Sequence, residues 1–132
     1  MVLGKKKILV LDDDSNMRML LDFVLHKQYD IYTKENGARG LDWLARGNHP
    51  DLIITDIDMP EMDGFAFLKK IREKDTLNKI PVIILSGNQS NKMRMQSLRE
   101  GASDYQTKPF VPDEIFHKIE KALHAYEISQ TD

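Results

Sequence analysis

The chain is expected to fold as an α/β domain with a parallel sheet covered by helices on both faces. Five short apolar runs recur at a steady spacing, and each is followed by a loop and then by a helical pattern. Alternating strands and helices predict parallel strands joined by crossover helices, and strands buried on both faces have nearly continuous apolar sequences. The runs are KILVL at 7–11, YDIYT at 29–33, LIIT at 52–55, VIIL at 82–85 and SDYQT at 103–107.

Helical patterns follow each of these runs. The first predicted helix has Ser15 in the position of an N-cap. The second, over 38–45, has a weaker apolar stripe, so we expect tertiary packing to hold it. The apolar positions of the first helix recur at helical spacing and are Met17, Leu20, Leu21, Val24 and Leu25.

The last three helices differ in how strongly the sequence anchors them. Gly64 opens the third, and the fourth, from about Ser90 to Arg99, is mostly polar and should be the least anchored. The fifth begins at Pro112, which suits a first turn, and acids that the helix dipole favours follow it. We expect this helix to end near Tyr126.

Length and composition indicate one domain over 1–132, with a core at about 6–126 and a short polar tail. A net charge of −2 gives no basic patch for direct binding of nucleic acid or an anionic membrane. The chain has no cysteine, and its N-terminal apolar stretch is too short for a signal peptide or a membrane span. We therefore expect a cytoplasmic protein.

Carboxylates follow two of the predicted strands. Asp12, Asp13 and Asp14 follow the first strand, and Asp56 follows the third. Ligands bind beyond the carboxyl ends of such strands, so these acids should converge. Oxygen ligands without His or Cys suit Mg²⁺, and Mn²⁺ could substitute. The acids at 12–14 could equally serve the helix end, but Asp56 is harder to explain by capping and is a plausible nucleophile for a phosphoryl group.

Two further polar residues end the fourth and fifth strands. Ser86 would offer a hydroxyl and Lys108 an ammonium beside the carboxylates. Phosphoryl transfer needs positioning and cancellation of charge, which such groups supply without a general base. Each has an ordinary alternative, a turn residue for the serine and a solvated charge for the lysine. Their conjunction with the acids favours a phosphoryl site.

With these residues in hand, the chain resembles the receiver domains of two-component response regulators, most closely the single-domain form typified by the chemotaxis regulator. Four ordered motifs carry the resemblance: VLDDDSNMR, DIDMPEMDGF, LSG and DYQTKPF. It implies a flavodoxin-like (βα)₅ fold with strand order 2-1-3-4-5. It further implies that Asp56 accepts the phosphoryl group, while Asp12, Asp13, Asp56 and the main-chain carbonyl of Asp58 hold Mg²⁺.

The resemblance also assigns roles outside the metal cluster. Ser86 and Lys108 would bind the phosphoryl group, and the Lys108–Pro109 bond would be cis. Ser86, in place of the commoner threonine, and Tyr105 would form the switch. Asp58 and Asn88 lie where the family modulates dephosphorylation.

The implied partners are a sensor histidine kinase or phosphotransfer protein and a downstream protein. The latter would bind the face of the fourth helix, fifth strand and fifth helix, and the same face could form a phosphorylation-dependent homodimer. The protein would be a switch rather than an enzyme. A phosphorelay intermediate or phosphate sink remains an alternative.

Two other readings fit less well. The D-x-D of haloacid-dehalogenase-like phosphatases usually closes the first strand, whereas Asp56 and Asp58 follow the third. A flavin or nucleotide module needs a first loop rich in glycine or hydroxyls, and DDDSN would repel phosphate without a metal.

Overall fold

The computed structural model describes residues 4–130, in which five strands alternate with five helices. In chain order these are β1 (Lys7–Leu11), α1 (Ser15–Leu25), β2 (Asp30–Lys34), α2 (Gly37–Ala45), β3 (Leu52–Thr55), α3 (Gly64–Arg72), β4 (Val82–Ser86), α4 (Asn91–Arg99), β5 (Asp104–Thr107) and α5 (Pro112–Ser129). The expected domain range and its polar tail include residues 1–3, 131 and 132, which lie outside the described residues.

The strands form a parallel sheet in the order β2-β1-β3-β4-β5, which confirms the predicted flavodoxin-like topology. Leu11 of β1 pairs with Thr55 of β3, so these two strands end side by side. The main-chain N–H of Asp56 continues the ladder by donating to the oxygen of Leu11 at 2.9 Å. The residues that follow β1 and β3 therefore start from the same point on the sheet edge.

Alternate strand residues build two apolar layers on opposite faces of the sheet. On one face they pack against α2 and α3, where Phe67 and Ile71 are fully buried. On the other they pack against α1 and α5, where Leu25 and Ile119 are fully buried. Burial of each such side chain stabilises the fold by about 1.5–3 kcal/mol, so the sheet is a rigid platform for residues at its edge.

Two expectations for α1 are wrong. The N-cap is Asp14, whose carboxylate accepts a hydrogen bond from the main-chain N–H of Asn16 at 2.9 Å, and Ser15 is the first helical residue. An aspartate caps as well as a serine does, and the strand ends early enough for Asp14 to take that role. Leu20 is 44% exposed instead of buried, because Leu21 and Leu25 already fill the contact with the sheet.

Other boundaries shift by a few residues. β2 begins at Asp30, one residue later than expected. α5 continues to Ser129 and so passes Tyr126 by three residues. Near its end the carboxylate of Glu127 lies 3.4 Å from the ammonium of Lys6, which joins the last turn of α5 to the start of β1. Within residues 4–130, no helix has both the length and the apolar character needed to cross a membrane.

Candidate functional site

Three carboxylates meet at the carboxyl edge of β1 and β3. Asp12 is 2% exposed and Asp56 is 9% exposed, while Asp13 lies at the exposed rim. One carboxylate oxygen from each lies within 4.8 Å of the others. The convergence predicted from the strand ends is therefore present in the fold, with two acids in the floor of a crevice and one at its edge.

Lys108 reaches this cluster from the end of β5. Its ammonium lies 2.9 Å from Oδ2 of Asp12 and 3.3 Å from Oδ2 of Asp56. Burial works against the charged lysine, but hydrogen bonding to Asp12 and the charges of both carboxylates outweigh it and raise the pKa of Lys108. The ammonium therefore stays charged between the two acids.

Asp56 is held on several sides. Its Oδ1 accepts a hydrogen bond from the main-chain N–H of Ile57 at 2.7 Å, and the Thr55 hydroxyl donates to its main-chain oxygen at 2.9 Å. Burial raises the pKa of Asp56, the charge of Lys108 opposes this, and the charge of Asp12 adds to it. The other carboxylate oxygen, Oδ2, faces the lysine, which fixes the orientation of the group.

The donor set fits a hard divalent cation. All three side chains offer oxygen, the ligand that Mg²⁺ prefers, and Asp13 lies at the exposed rim of the cluster. Three carboxylates beside one ammonium also leave excess negative charge, which a divalent cation neutralises. Asp12, Asp13 and Asp56 could therefore hold Mg²⁺.

Ser86 and Tyr105 lie next to the crevice and are linked through one loop residue. The main-chain N–H of Asn88 donates to the Ser86 hydroxyl oxygen at 3.2 Å. The Tyr105 hydroxyl donates to the main-chain oxygen of Asn88. Tyr105 is buried, with 3% of the residue exposed. Ser86 also accepts from the main-chain N–H of Lys108 at 2.8 Å through its own carbonyl.

The same loop residue also reaches α4. The side-chain oxygen of Asn88 accepts from the N–H of Ser90 at 2.8 Å. The Ser90 hydroxyl in turn accepts from the N–H of Met93 at 3.1 Å and caps the helix. Hydrogen bonds thus connect Ser86, Tyr105 and the start of α4.

The remaining predicted residues lie around this centre. Asp58 and Asn88 are exposed beside the crevice, each two residues beyond a site residue, Asp56 and Ser86 respectively. The Lys108–Pro109 peptide bond is cis. The structure thus gathers the acids and the lysine directly, and joins Ser86 and Tyr105 to them through main chain and loop.

Two residues that support the site were not selected from the sequence. A Cβ at Gly64 would lie 2.2 Å from the main-chain oxygen of Asp56, so only glycine fits there. Arg18 donates from Nη1 to the main-chain oxygen of Asp12 at 2.7 Å. A glycine after MD and an arginine in a surface helix have many ordinary explanations, so neither stands out before the fold is known.

Comparison with known proteins identifies the family that shares this arrangement. The family model described as "Response regulator receiver domain" matches residues 8–120. The chain belongs to the response regulator receiver domain family. A receiver domain therefore accounts for most of the chain, including the carboxylates at 12 and 56 and the lysine at 108.

Relatives of this receiver domain differ in length. It is 34% identical to the alkaline phosphatase synthesis transcriptional regulatory protein PhoP of Bacillus subtilis, over 94% of this chain and 51% of that protein. It is 33% identical to the two-component response regulator ORR5 of Oryza sativa subsp. japonica, over 91% of this chain and 90% of that protein. The chain spans between 7% and 51% of the length of the first curated relatives.

Solved structures support the same placement. The signal receiver domain of a histidine kinase from Syntrophus aciditrophicus has a TM-score of 0.85 and 30% identity, covering 96% of this chain and 95% of that chain. The fold of this receiver domain and its place in two-component signalling rest on these agreements.

Proposed function

We propose that this receiver domain accepts a phosphoryl group on Asp56 and acts as a signalling switch. The observation that carries the proposal is the crevice in which the Asp12, Asp13 and Asp56 carboxylates lie together, with the Lys108 ammonium between two of them. A carboxylate oxygen of Asp56 attacks phosphorus of a phosphohistidine. The new O–P bond forms as the N–P bond breaks, and its electron pair returns to the imidazole of the donor.

The residues of the chain orient this reaction. The Ile57 N–H holds Oδ1 of Asp56, while Lys108 faces Oδ2 and is placed to offset charge on the transferred oxygens. Ser86 supplies a hydroxyl at the end of β4. Asp12, Asp13, Asp56 and the Asp58 carbonyl would hold Mg²⁺, which would supply further charge cancellation at the phosphoryl group.

The donor is a sensor histidine kinase or phosphotransfer protein, the class with which receiver domains pair. A patch suited to a helical partner lies on α1, which begins at the crevice. Phe23 is 75% exposed, Met19 is 69% exposed and Leu20 is 44% exposed. Exposed apolar side chains at i, i+1 and i+4 cover one side of a helix, and a protein docked there would have its histidine near Asp56.

The output surface is the face of α4, β5 and α5. Exposed cationic residues Lys92, Arg94 and Arg99 surround Met95, which is 43% exposed. Charged residues around an apolar centre suit a reversible contact. The occupant is a downstream protein or a second phosphorylated copy of this chain. Asp58 and Asn88, at the mouth of the crevice, would set the lifetime of the phosphorylated state.

Acetyl phosphate labelling followed by intact-protein mass spectrometry tests the acceptor. The wild-type domain should gain one phosphoryl group with Mg²⁺ and none with excess EDTA, because the oxygens of the incoming group otherwise meet three carboxylates. Asp56→Asn should abolish labelling. Asp58→Asn removes a neighbouring exposed carboxylate and is the matched control, which should still be labelled.

Stoichiometric labelling of Asp56→Asn, or labelling that EDTA leaves unchanged, would contradict the assignment. A turnover assay with a phosphomonoester separates the switch from a phosphatase. The switch should show no sustained hydrolysis.

A further inference from the structure

The peptide group between Asp12 and Asp13 is held by an arginine of α1. Nη1 of Arg18 donates to the main-chain oxygen of Asp12 at 2.7 Å, across six residues of chain. A charged donor at this distance makes one of the stronger hydrogen bonds found in proteins. The bond therefore fixes the plane of the peptide from which the Asp13 residue departs.

Asp12 is held at each of its polar groups. Its N–H donates to the main-chain oxygen of Lys34 at 3.2 Å. Its Oδ1 accepts from the N–H of Asp14 at 2.9 Å, and its Oδ2 accepts from the ammonium of Lys108 at 2.9 Å. Asp13 differs. Within residues 4–130 its carboxylate makes no hydrogen bond or ion pair with other protein groups, so its position depends on its main chain.

We propose that Arg18 is a positioning residue for the metal-binding carboxylates. By holding the Asp12 carbonyl, it keeps the Asp13 carboxylate within reach of Asp12 and Asp56. This inference rests on the proposed function, because it takes the acidic cluster to bind Mg²⁺.

Electrostatics and positioning predict opposite effects of removing Arg18. If its charge alone mattered, removal would tighten Mg²⁺ binding, since a nearby cation repels a divalent ion. If it positions Asp13, removal weakens binding. Loss of a residue that orients metal ligands typically weakens metal binding by about 10- to 100-fold. The sign of the change therefore separates the two roles.

Titration calorimetry of the whole domain with Mg²⁺ measures that sign. Arg18→Met should weaken binding about tenfold. Arg18→Lys keeps a donor and the charge and should recover part of the loss. Arg39→Met is the matched charge control, because Arg39 lies beside Arg18 at the same surface depression but pairs with Glu35 at 3.4 Å. It should bind Mg²⁺ as tightly as the wild type or slightly more tightly.

A second measurement distinguishes positioning from a general loss of structure. With acetyl phosphate, Arg18→Met should need a higher Mg²⁺ concentration to reach half of its maximal labelling rate. At saturating Mg²⁺ it should reach the wild-type rate, since the bound ion would then hold the carboxylates in place. A purely structural defect would lower the saturated rate too. Arg18→Gln also removes the charge and the reach to Asp12. It should show the same loss, and it decides the question if the methionine variant does not fold.

Wild-type or tighter Mg²⁺ binding by folded Arg18→Met or Arg18→Gln overturns the proposal. So does a lowered rate at saturating Mg²⁺. Asp13→Ala separates this failure from failure of the proposed function. If Asp13→Ala binds Mg²⁺ normally, the metal site itself is wrong. If Asp13→Ala loses Mg²⁺ but the Arg18 variants do not, only the role of Arg18 is wrong.

Discussion

Asp56 combines reactivity with a cost to stability. It is a buried carboxyl whose pKa is raised from the ordinary value of 3.8, mainly because burial disfavours its charged form. The folded state therefore holds a proton more tightly than the unfolded chain does. Stability falls as the pH rises above 3.8, and the loss is complete once the pH exceeds the raised pKa. An ionised acceptor is therefore obtained at the expense of fold stability.

Replacing this carboxyl should therefore stabilise the domain. In EDTA at pH 7, Asp56→Asn should raise the free energy of unfolding, measured by urea denaturation, because the buried charge is removed. The gain should shrink as the pH approaches 3.8, where the unfolded wild-type carboxyl also becomes protonated. Asp58→Asn changes an exposed acid and should have little effect. A gain that grows towards acid pH would contradict this account.

At the scale of one element, the acids before α1 divide two tasks. Asp13 belongs to the carboxylate cluster, whereas Asp14 caps the helix through the N–H of Asn16. Asp12 links the two by accepting from the N–H of Asp14 at 2.9 Å. Neighbouring residues in a run of like charges therefore serve the site and the helix separately.

Alanine substitutions should separate these tasks. Asp14→Ala should lower the free energy of unfolding by about 1 kcal/mol through loss of the cap, with little change in Mg²⁺ affinity. Asp13→Ala should weaken Mg²⁺ binding at least tenfold, with little loss of stability. Calorimetry and urea denaturation provide the two readouts. Equal effects of the two variants on Mg²⁺ binding would show that the cluster is misplaced.

The start of α3 is also tied to the acceptor. A Cβ at Gly64 would lie 2.2 Å from the main-chain oxygen of Asp56, so either the strand end or the helix would have to move. Gly64→Ala should cost about 1–3 kcal/mol and slow acetyl phosphate labelling. Gly87→Ala is the matched control, because nothing lies within 4 Å of a Cβ there. If the two variants behave alike, the contact with Asp56 is not limiting.

Across the whole molecule, α4 is an element that the crevice reaches through hydrogen bonds and that few buried side chains anchor. The path runs from Ser86 to Asn88 and from there to both Tyr105 and the Ser90 cap. α4 also has only one fully buried residue, Ser97, among its nine. A helix held this lightly needs little free energy to shift.

A phosphoryl mimic should therefore act on α4 and leave α1 in place. Beryllofluoride with Mg²⁺ should shift amide resonances from Ser86 through Arg99 and around Tyr105, but not from Leu20 through Leu25. Tyr105→Phe keeps the buried ring and removes the hydroxyl bond to Asn88, so it should reduce the shifts in α4. Shifts confined to the neighbours of Asp56 would favour a phosphorelay intermediate or phosphate sink.

The sequence predicted the parts of the molecule that depend on alternation and on strand ends. The runs before Asp12 and Asp56 mark buried strands, and the register of a parallel sheet then brings those acids together. It did not predict contacts made by backbone. The closeness of Gly64 to Asp56 and the bond from Arg18 to the Asp12 carbonyl depend on chain path. The exposure of Leu20 depends on how far α1 is rotated against the sheet.

The ion pair between Lys6 and Glu127 makes the domain a good subject for circular permutation. At 3.4 Å it joins the first strand to the last turn of α5, at the sheet end opposite the crevice. A short linker could therefore connect residues near 4 and 130. New termini at the exposed turn of Gly47 and Asn48, between α2 and β3, would also lie away from the carboxylates. The crevice loops would remain intact in a protein whose first strand is β3.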